Sequence, residues 1–144
     1  SSPDFKIIAR TDARAPLGME EAMHRLKVYK EAGADILFMD AIESPEEMKR
    51  QVGELPGPHM VNMSETGKTP LMSAHDLEAL GFKIVIFPSS MTRIMVRQLS
   101  QFMSMLRETG DSRSWLDRMA SLDETNAALG LPELDTVSAK IRAA

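Results

Sequence analysis

Four short apolar runs, each closing on polar or charged residues, set the pattern of the chain. Phe5-Lys6-Ile7-Ile8-Ala9 gives way to Arg10-Thr11-Asp12-Ala13, and Ile36-Leu37-Phe38-Met39 ends at Asp40. His59-Met60-Val61 ends at Asn62, followed by Ser64 and Glu65, and Ile84-Val85-Ile86-Phe87 ends at Pro88-Ser89-Ser90. Apolar runs of this length between turn residues read as buried strands. The segments between them carry helical spacing. Ala22, Leu26 and Tyr29 share one face of a helix from about Met19, and Gly33 marks its stop. Ser44-Pro45-Glu46-Glu47 is a helix start, with Ser44 as N-cap, Pro45 at the first position and Glu47 completing a capping box. Met48 and Val52 face inward on that helix, and Gly53 is expected to end it. Ser73 caps a short helix through Leu77 and Leu80 that stops at Gly81. A long helix of roughly 92–108 follows the fourth strand with the stripe Met91, Met95, Leu99, Phe102, Leu106, and Gly110 ends it. Ala13 to Gly18 and Thr69-Pro70-Leu71 read as loops.

Strand and helix thus alternate four times, in steps of about 20–30 residues, which is the size of one βα unit. Polar groups gathered where parallel strands end are how an α/β enzyme builds its site. A complete eightfold barrel needs about 250 residues, so the expectation is four βα units of an α/β (β/α)8 TIM-type barrel. A doubly wound four-stranded sheet is the competing arrangement. Residues 1–110 form the half-barrel in this reading, and 111–144 a C-terminal helical extension. In the extension, Trp115, Leu116, Met119 and Leu122, then Leu134, Val137 and Ile141, present apolar faces that need a partner surface in the same subunit or the next. The chain enters its first strand directly after Ser1-Ser2-Pro3-Asp4, with no initiator Met, and the expectation is a cut inside a larger fold.

Composition narrows the chemistry. The 144 residues carry a net charge of −4. That balance argues against a nucleic-acid footprint, while a few local Arg can still serve a small anion. There is no cysteine, hence no disulfide, thiol nucleophile or thiolate-bound metal within the chain. Twelve Met with only 5% aromatics imply an aliphatic core filled by Met. No run reaches the length of a membrane span, and no signal peptide is visible; a cytoplasmic protein without membrane partners is expected. Gly67-Lys68-Thr69 lacks the upstream glycine and the immediate helix of a phosphate loop. His24, His59 and His75 have no ligand spacing and read as surface or packing residues.

The strand ends also carry a resemblance. FKIIARTDA (residues 5–13), EAGADILFMDA (31–41), VNMSETGKTP (61–70) and Ile86-Phe87-Pro88, in this order and at these gaps, resemble the isocitrate lyase / phosphoenolpyruvate mutase superfamily. The similarity is nearest to 2-methylisocitrate lyases, dimethylmalate lyases and carboxyphosphonoenolpyruvate mutases. It implies strands five to eight of the barrel. The Mg²⁺-binding acids and the mobile acid/base loop of the family would then lie in the other half. Arg10 matches the family's substrate-binding Arg, a guanidinium able to clamp a carboxylate and stabilise developing enolate charge. Asp40 stands where many of the lyases have Glu, within reach of metal-bound waters or Arg10. Asn62 and Ser64 match positions that hydrogen-bond a substrate carboxylate. Glu65 matches an acid expected to orient Asn62 or Arg10. Arg93 aligns with an Arg that binds an additional carboxylate in methylisocitrate lyases, while a further lyase Arg of the tail is replaced near Leu122.

The implied activity is Mg²⁺-dependent C–C cleavage of a 2-hydroxy di- or tricarboxylate, or a related α-keto acid, through an enolate. Arg10 and Asp40 are the catalytic candidates, and Arg10, Asn62, Ser64, Glu65 and Arg93 the substrate-binding ones. P–C chemistry by a phosphonate mutase or hydrolase is the alternative within the superfamily, and a non-catalytic half-barrel binding module the alternative outside it. The resemblance further implies a homotetramer that exchanges a helix between subunits.

Overall fold

The computed structural model describes residues 4–142; Ser1–Pro3, where the expected cut was placed, and the side chain of Val137 lie outside the described residues. The chain divides into two compact units, Ser1–Met95 and Val96–Ala144.

The first unit runs β1 (Ile8–Thr11), α1 (Arg14–Leu17), α2 (Met19–Glu31), β2 (Ile36–Met39), α3 (Pro45–Glu54), β3 (His59–Asn62), α4 (Ala74–Leu80) and β4 (Ile84–Ile86), then enters α5 (Ser90–Thr109). The four strands form one parallel sheet in the order β1-β2-β3-β4. Each crossover therefore adds the next strand on the same side. A doubly wound sheet reverses direction at a switch point, and a barrel does not. The sheet is accordingly part of a (β/α)8 barrel.

Register fixes what each face carries. Ala9 pairs with Leu37, and Val61 with Val85. These residues pack with Leu26, Ile42, Met48, Met63, Leu77 and Phe82 into one core beneath the helices. Met39, Met48 and Met63 are fully buried there, so Met does fill the aliphatic core. Residues one step along each strand point to the other face. Arg10 opposes Phe38, Phe38 opposes Met60, and Asn62 opposes Ile86. That second face carries the polar groups considered below.

Several boundaries move for local reasons. The first strand was expected over Phe5–Ala9, but its ladder begins later. The Ile7 carbonyl accepts from Asp35 N and Ile36 N, while Ile7 N turns to the Asp35 carboxylate at 2.8 Å. Arg10 and Thr11 are consequently strand residues. The Ala13–Gly18 loop contains a single helical turn, closed by Gly18 at φ 89°. Gly53 does not end α3, because it lacks the positive φ of a glycine stop; Leu55 caps the helix instead, its N–H donating to Gln51 O. Ser44 caps α3 as expected, accepting from Glu47 N at 3.2 Å, but the capping box stays open. The Glu47 carboxylate accepts from Glu43 N and Arg14 instead. Gly81, at φ 107°, stops α4 as its sequence suggested.

In the second unit, the expected amphipathic segment 114–129 splits. Arg113–Arg118 is a 3₁₀ turn, and Leu122–Ala128 (α6) starts from a capping box between Ser121 and Glu124. Leu131–Arg142 (α7) follows. Phe102 and Trp115 meet edge to face with centroids 5.4 Å apart, and the Arg118 guanidinium lies 3.8 Å over the Trp115 ring. Leu99, Leu122, Leu134 and Ile141 remain exposed.

Candidate active site at the strand ends

Arg10 organises the site. Asp12 lies two residues after Arg10, immediately past the end of β1, and its carboxylate turns to the Arg10 side chain. Asp12 Oδ1 lies 2.6 Å from Arg10 Nη2 and 3.0 Å from Nε. Asp40, immediately past the end of β2, places Oδ2 3.2 Å from the same Nη2. The guanidinium stacks 5.0 Å above the buried Phe38 ring. Phe38 thus forms an apolar floor that holds the cation in place. The Nη1 edge meets no protein acceptor among the described residues. The guanidinium holds the Asp12 carboxyl below the usual carboxylate range, chiefly through its hydrogen bond.

Asn62 closes the group from the last position of β3. Its Nδ2 donates to Asp40 Oδ1 at 3.3 Å. Its Oδ1 is buried and has no hydrogen-bond partner among the described residues. Exchanging the two amide atoms would set an oxygen against the Asp40 carboxylate, so the observed orientation is the one the network requires. An orphaned buried acceptor is costly unless a ligand or water donates to it. Asn62 was expected to donate to a substrate carboxylate; one donor is instead committed to Asp40, and the free atom is an acceptor.

Ala41, next to Asp40, has a left-handed backbone at φ 57°. Such strain in a residue with a Cβ costs of order 1–3 kcal/mol and persists only where its surroundings fix it. Sequence reading missed this feature, and no residue type announces it.

Glu65 does not orient Asn62 or Arg10. It accepts from Ser90 at the start of α5 and from Arg93 Nη1 at 3.3 Å. The Ser90 hydroxyl chiefly, then its own backbone N–H and the Arg93 charge, keep its carboxyl below its ordinary value. The reason is prior commitment: Arg10 and Asn62 already satisfy Asp12 and Asp40. Arg93 Nη1 also reaches Thr66 Oγ1 at 3.3 Å. Among the described residues Ser64 forms no side-chain hydrogen bond; its carbonyl accepts from Gly67 N at 3.0 Å in the turn after β3. The structure therefore sorts five of the six predicted residues into two groups and leaves Ser64 in neither. Arg10, Asp40 and Asn62 share one network with Asp12, while Glu65 and Arg93 form another with Ser90 and Thr66. Asp12 and Ser90 were not among the predicted site residues, although the two-residue spacing from Arg10 was a usable signal for Asp12. Lys68 pairs with Glu43 at 3.4 Å and α4 begins only at Ala74, so the Gly67-Lys68-Thr69 segment is no phosphate loop.

One guanidinium between two carboxylates leaves the Arg10 network with a formal negative charge. That charge would favour a cation nearby without requiring one. Among the described residues no three His, Asp or Glu side chains converge into a metal cage. The fit is thus to a neighbouring role: Asp40 and the Asn62 acceptor can receive hydrogen bonds from water or ligand held by a cation whose direct ligands lie elsewhere. No helix among the described residues is long and apolar enough to cross a membrane.

Comparison with known proteins places this arrangement. The family profile described as phosphoenolpyruvate phosphomutase matches residues 1–107. A 2,3-dimethylmalate lyase of Eubacterium barkeri is 40% identical over 94% of this chain and 47% of its own length. A crystal structure of 2,3-dimethylmalate lyase, a PEP mutase/isocitrate lyase superfamily member, superposes with TM-score 0.87 at 34% identity, over 96% of this chain and 48% of that one. A phosphonopyruvate hydrolase structure in complex with oxalate and Mg²⁺ superposes with TM-score 0.77 at 29% identity, over 96% of this chain and 50% of that one. The chain spans about half the length of the relatives it matches. On the profile match, the identity and the shared fold, the chain belongs to the phosphoenolpyruvate mutase / isocitrate lyase superfamily.

Proposed function

We propose that the chain contributes the carboxylate-binding half of a Mg²⁺-dependent carbon–carbon lyase acting on a 2-hydroxy di- or tricarboxylate of the dimethylmalate, methylisocitrate or oxaloacetate class. The observation that carries the reading is the Arg10–Asp40–Asn62 network at the ends of three adjacent parallel strands, with one buried acceptor left open. The similarity to a dimethylmalate lyase supports the substrate class.

In the cleavage, the substrate's hydroxyl proton passes to a base and the C–O bond becomes C=O as the C–C bond breaks. The bonding electron pair passes to the departing α-carbon and into that carbon's own carboxylate as an enediolate, which takes up a proton at carbon to release the saturated acid alongside the α-keto acid. A bound Mg²⁺ supplies Lewis-acid stabilisation of that developing charge. The chain's own residues bind and orient. Arg10 offers its Nη1 edge to a carboxylate while Asp12 and Phe38 hold the guanidinium fixed. Asp40 accepts from water or hydroxyl groups on the substrate side. The Asn62 Oδ1 accepts from a substrate hydroxyl, and a remaining amide N–H donates. Arg93 is engaged by Glu65 and Thr66, so it serves an additional carboxylate only by exchanging those partners.

The second reading is P–C bond chemistry on a phosphonate, supported by the phosphomutase profile and the likeness to a phosphonopyruvate hydrolase. Assaying the full natural chain with Mg²⁺ on 2,3-dimethylmalate, 2-methylisocitrate, oxaloacetate and phosphonopyruvate separates the two by product. Under the lyase reading, Arg10→Ala lowers kcat/KM by about 10²–10³-fold, the cost of losing one preorganised charge-stabilising donor. Undiminished turnover in that variant would sink the role of Arg10. A homotetramer built by exchange of tail helices is part of the same proposal, motivated by exposed Leu99, Leu122 and Leu134. A monomer in sedimentation at micromolar concentration would refute it.

A further inference from the structure

Arg14 lies outside the Arg10–Asp40–Asn62 network, yet it ties together the loops behind it. From the first residue of α1 it donates Nε to Glu47 Oε2 at 2.9 Å and Nη2 to Glu47 Oε1 at 2.6 Å. Its Nη2 also reaches Glu43 Oε2 at 3.1 Å, and Lys68 approaches the other oxygen of Glu43 at 3.4 Å. Three loops meet at this point, and they follow β1, β2 and β3, the strands that end in Arg10, Asp40 and Asn62. The Arg14 side chain is only 15% exposed, unlike the surface ion pair of Arg25 with Glu21, where Arg25 is 42% exposed.

The loop after β2 shows what this cluster constrains. Asp40 N donates to Thr11 O at 3.0 Å, which anchors one side of Ala41. On the other side Ile42 is fully buried, and Glu43 N donates to Glu47 Oε2 at 3.0 Å. Between these anchors Ala41 is held at its left-handed φ of 57°. The Glu47 carboxylate is in turn held by the two-pronged grip of Arg14. Without that grip Glu43 N loses a fixed acceptor, and Ala41 is free to relax to negative φ, swinging the Asp40 carboxylate away from Arg10 and Asn62.

We propose that Arg14, acting through Glu47, is a positioning residue that braces the left-handed turn at Ala41 and thereby sets Asp40 against Arg10 and Asn62. The inference rests on the reading of Arg10, Asp40 and Asn62 as the substrate site. Lysine keeps the charge of Arg14 but not the planar fork that meets a carboxylate at two points.

The test uses the full natural chain as wild type, Arg14→Lys, Arg50→Lys, Asp40→Asn and the double variant Arg14→Lys/Ala41→Gly. Arg50→Lys is the control, an ion-paired Arg joining Glu20 and Glu54 away from the strand ends. Arg14→Lys is expected to lower kcat by about 10–100-fold, as a small misplacement of a catalytic group does. Arg50→Lys keeps wild-type turnover. The Ala41 ¹³C shifts move out of the left-handed range in Arg14→Lys alone. Glycine adopts positive φ without penalty, so the double variant recovers roughly severalfold in kcat over Arg14→Lys. Wild-type turnover and unchanged Ala41 shifts in Arg14→Lys would overturn the proposal, and so would a loss that glycine does not relieve. Full turnover in Asp40→Asn would instead mean that the site reading has failed. The Ala41 shifts would then still decide whether Arg14 holds the turn.

Discussion

The two ends of the same sheet differ in the charge and exposure of their polar groups. At the start of β3, His59 is 1% exposed and forms two hydrogen bonds. Its Nε2 lies 3.0 Å from Leu55 O, and its Nδ1 3.1 Å from Gln51 Nε2. The geometry calls for the tautomer that donates from Nε2 and accepts at Nδ1. Phe82 packs edge-on against the ring at 6.3 Å. At the other end of β3, Asn62 keeps an acceptor without a partner, and Arg10 keeps a half-exposed guanidinium between two carboxylates. One end pairs both ring nitrogens of His59, leaves only the Gln51 Oε1 acceptor without a partner among the described residues, carries no charged group in that cluster, and serves stability. The other leaves valences and charge open and suits a ligand. This is the division expected between the two ends of a barrel's strands.

The contrast predicts opposite mutational signatures. The largest effect falls on turnover: Arg10→Ala costs about 10²–10³-fold in kcat/KM, while its chemical-denaturation midpoint stays close to wild type because the lost ion pairs are exposed. His59→Phe should behave the other way. It strands Leu55 O and the Gln51 amide in the core, at about 1–3 kcal/mol for each buried group left unpaired. A denaturation midpoint within error of wild type would show that the pair is not structural.

The smallest effect is a pH slope. Burial pushes the His59 pKa below its ordinary 6.5, assisted by the Lys30 charge and opposed by the bond to Leu55 O. The unfolded chain therefore takes up a proton near pH 6.5 that the folded chain refuses. Stability is full above that pH and declines as pH falls below it, towards the lower folded pKa. Asp12, Glu47 and Glu65, all held below their ordinary values by partners, add their losses only at more acid pH. His59→Phe should remove the slope just below pH 6.5 and leave the acid limb. Denaturation midpoints across pH 5–8 check it, and an unchanged slope in the variant would assign the effect elsewhere.

Much of the fold was legible in the sequence because strands, caps and stops are local. The run Ile36–Met39 is β2 itself, Ser44 and Ser73 cap their helices, and Gly81 takes the left-handed stop. What was not legible depends on partners distant in sequence. Gln51 is fully buried because His59 waits beneath it, and the helical spacing of α3 marked only Met48 and Val52. In the site, Arg10, Asp40 and Asn62 were identified and do converge. The partner of Glu65 was misjudged, since the choice between Asn62, Arg10 and Arg93 is made by which acceptors are already taken. Arg14 gave no signal at all, because its role is visible only once three loops are seen to meet.

The most direct measurement is calorimetric binding of oxalate, a planar mimic of the α-keto acid fragment with its C=O beside a carboxylate, to the full natural chain with and without Mg²⁺. The account predicts Mg²⁺-dependent binding in the wild type that Arg10→Ala abolishes and His59→Phe retains at temperatures where it is folded. Equal oxalate binding by wild type and Arg10→Ala would contradict the claim that the open end of the sheet is the carboxylate site.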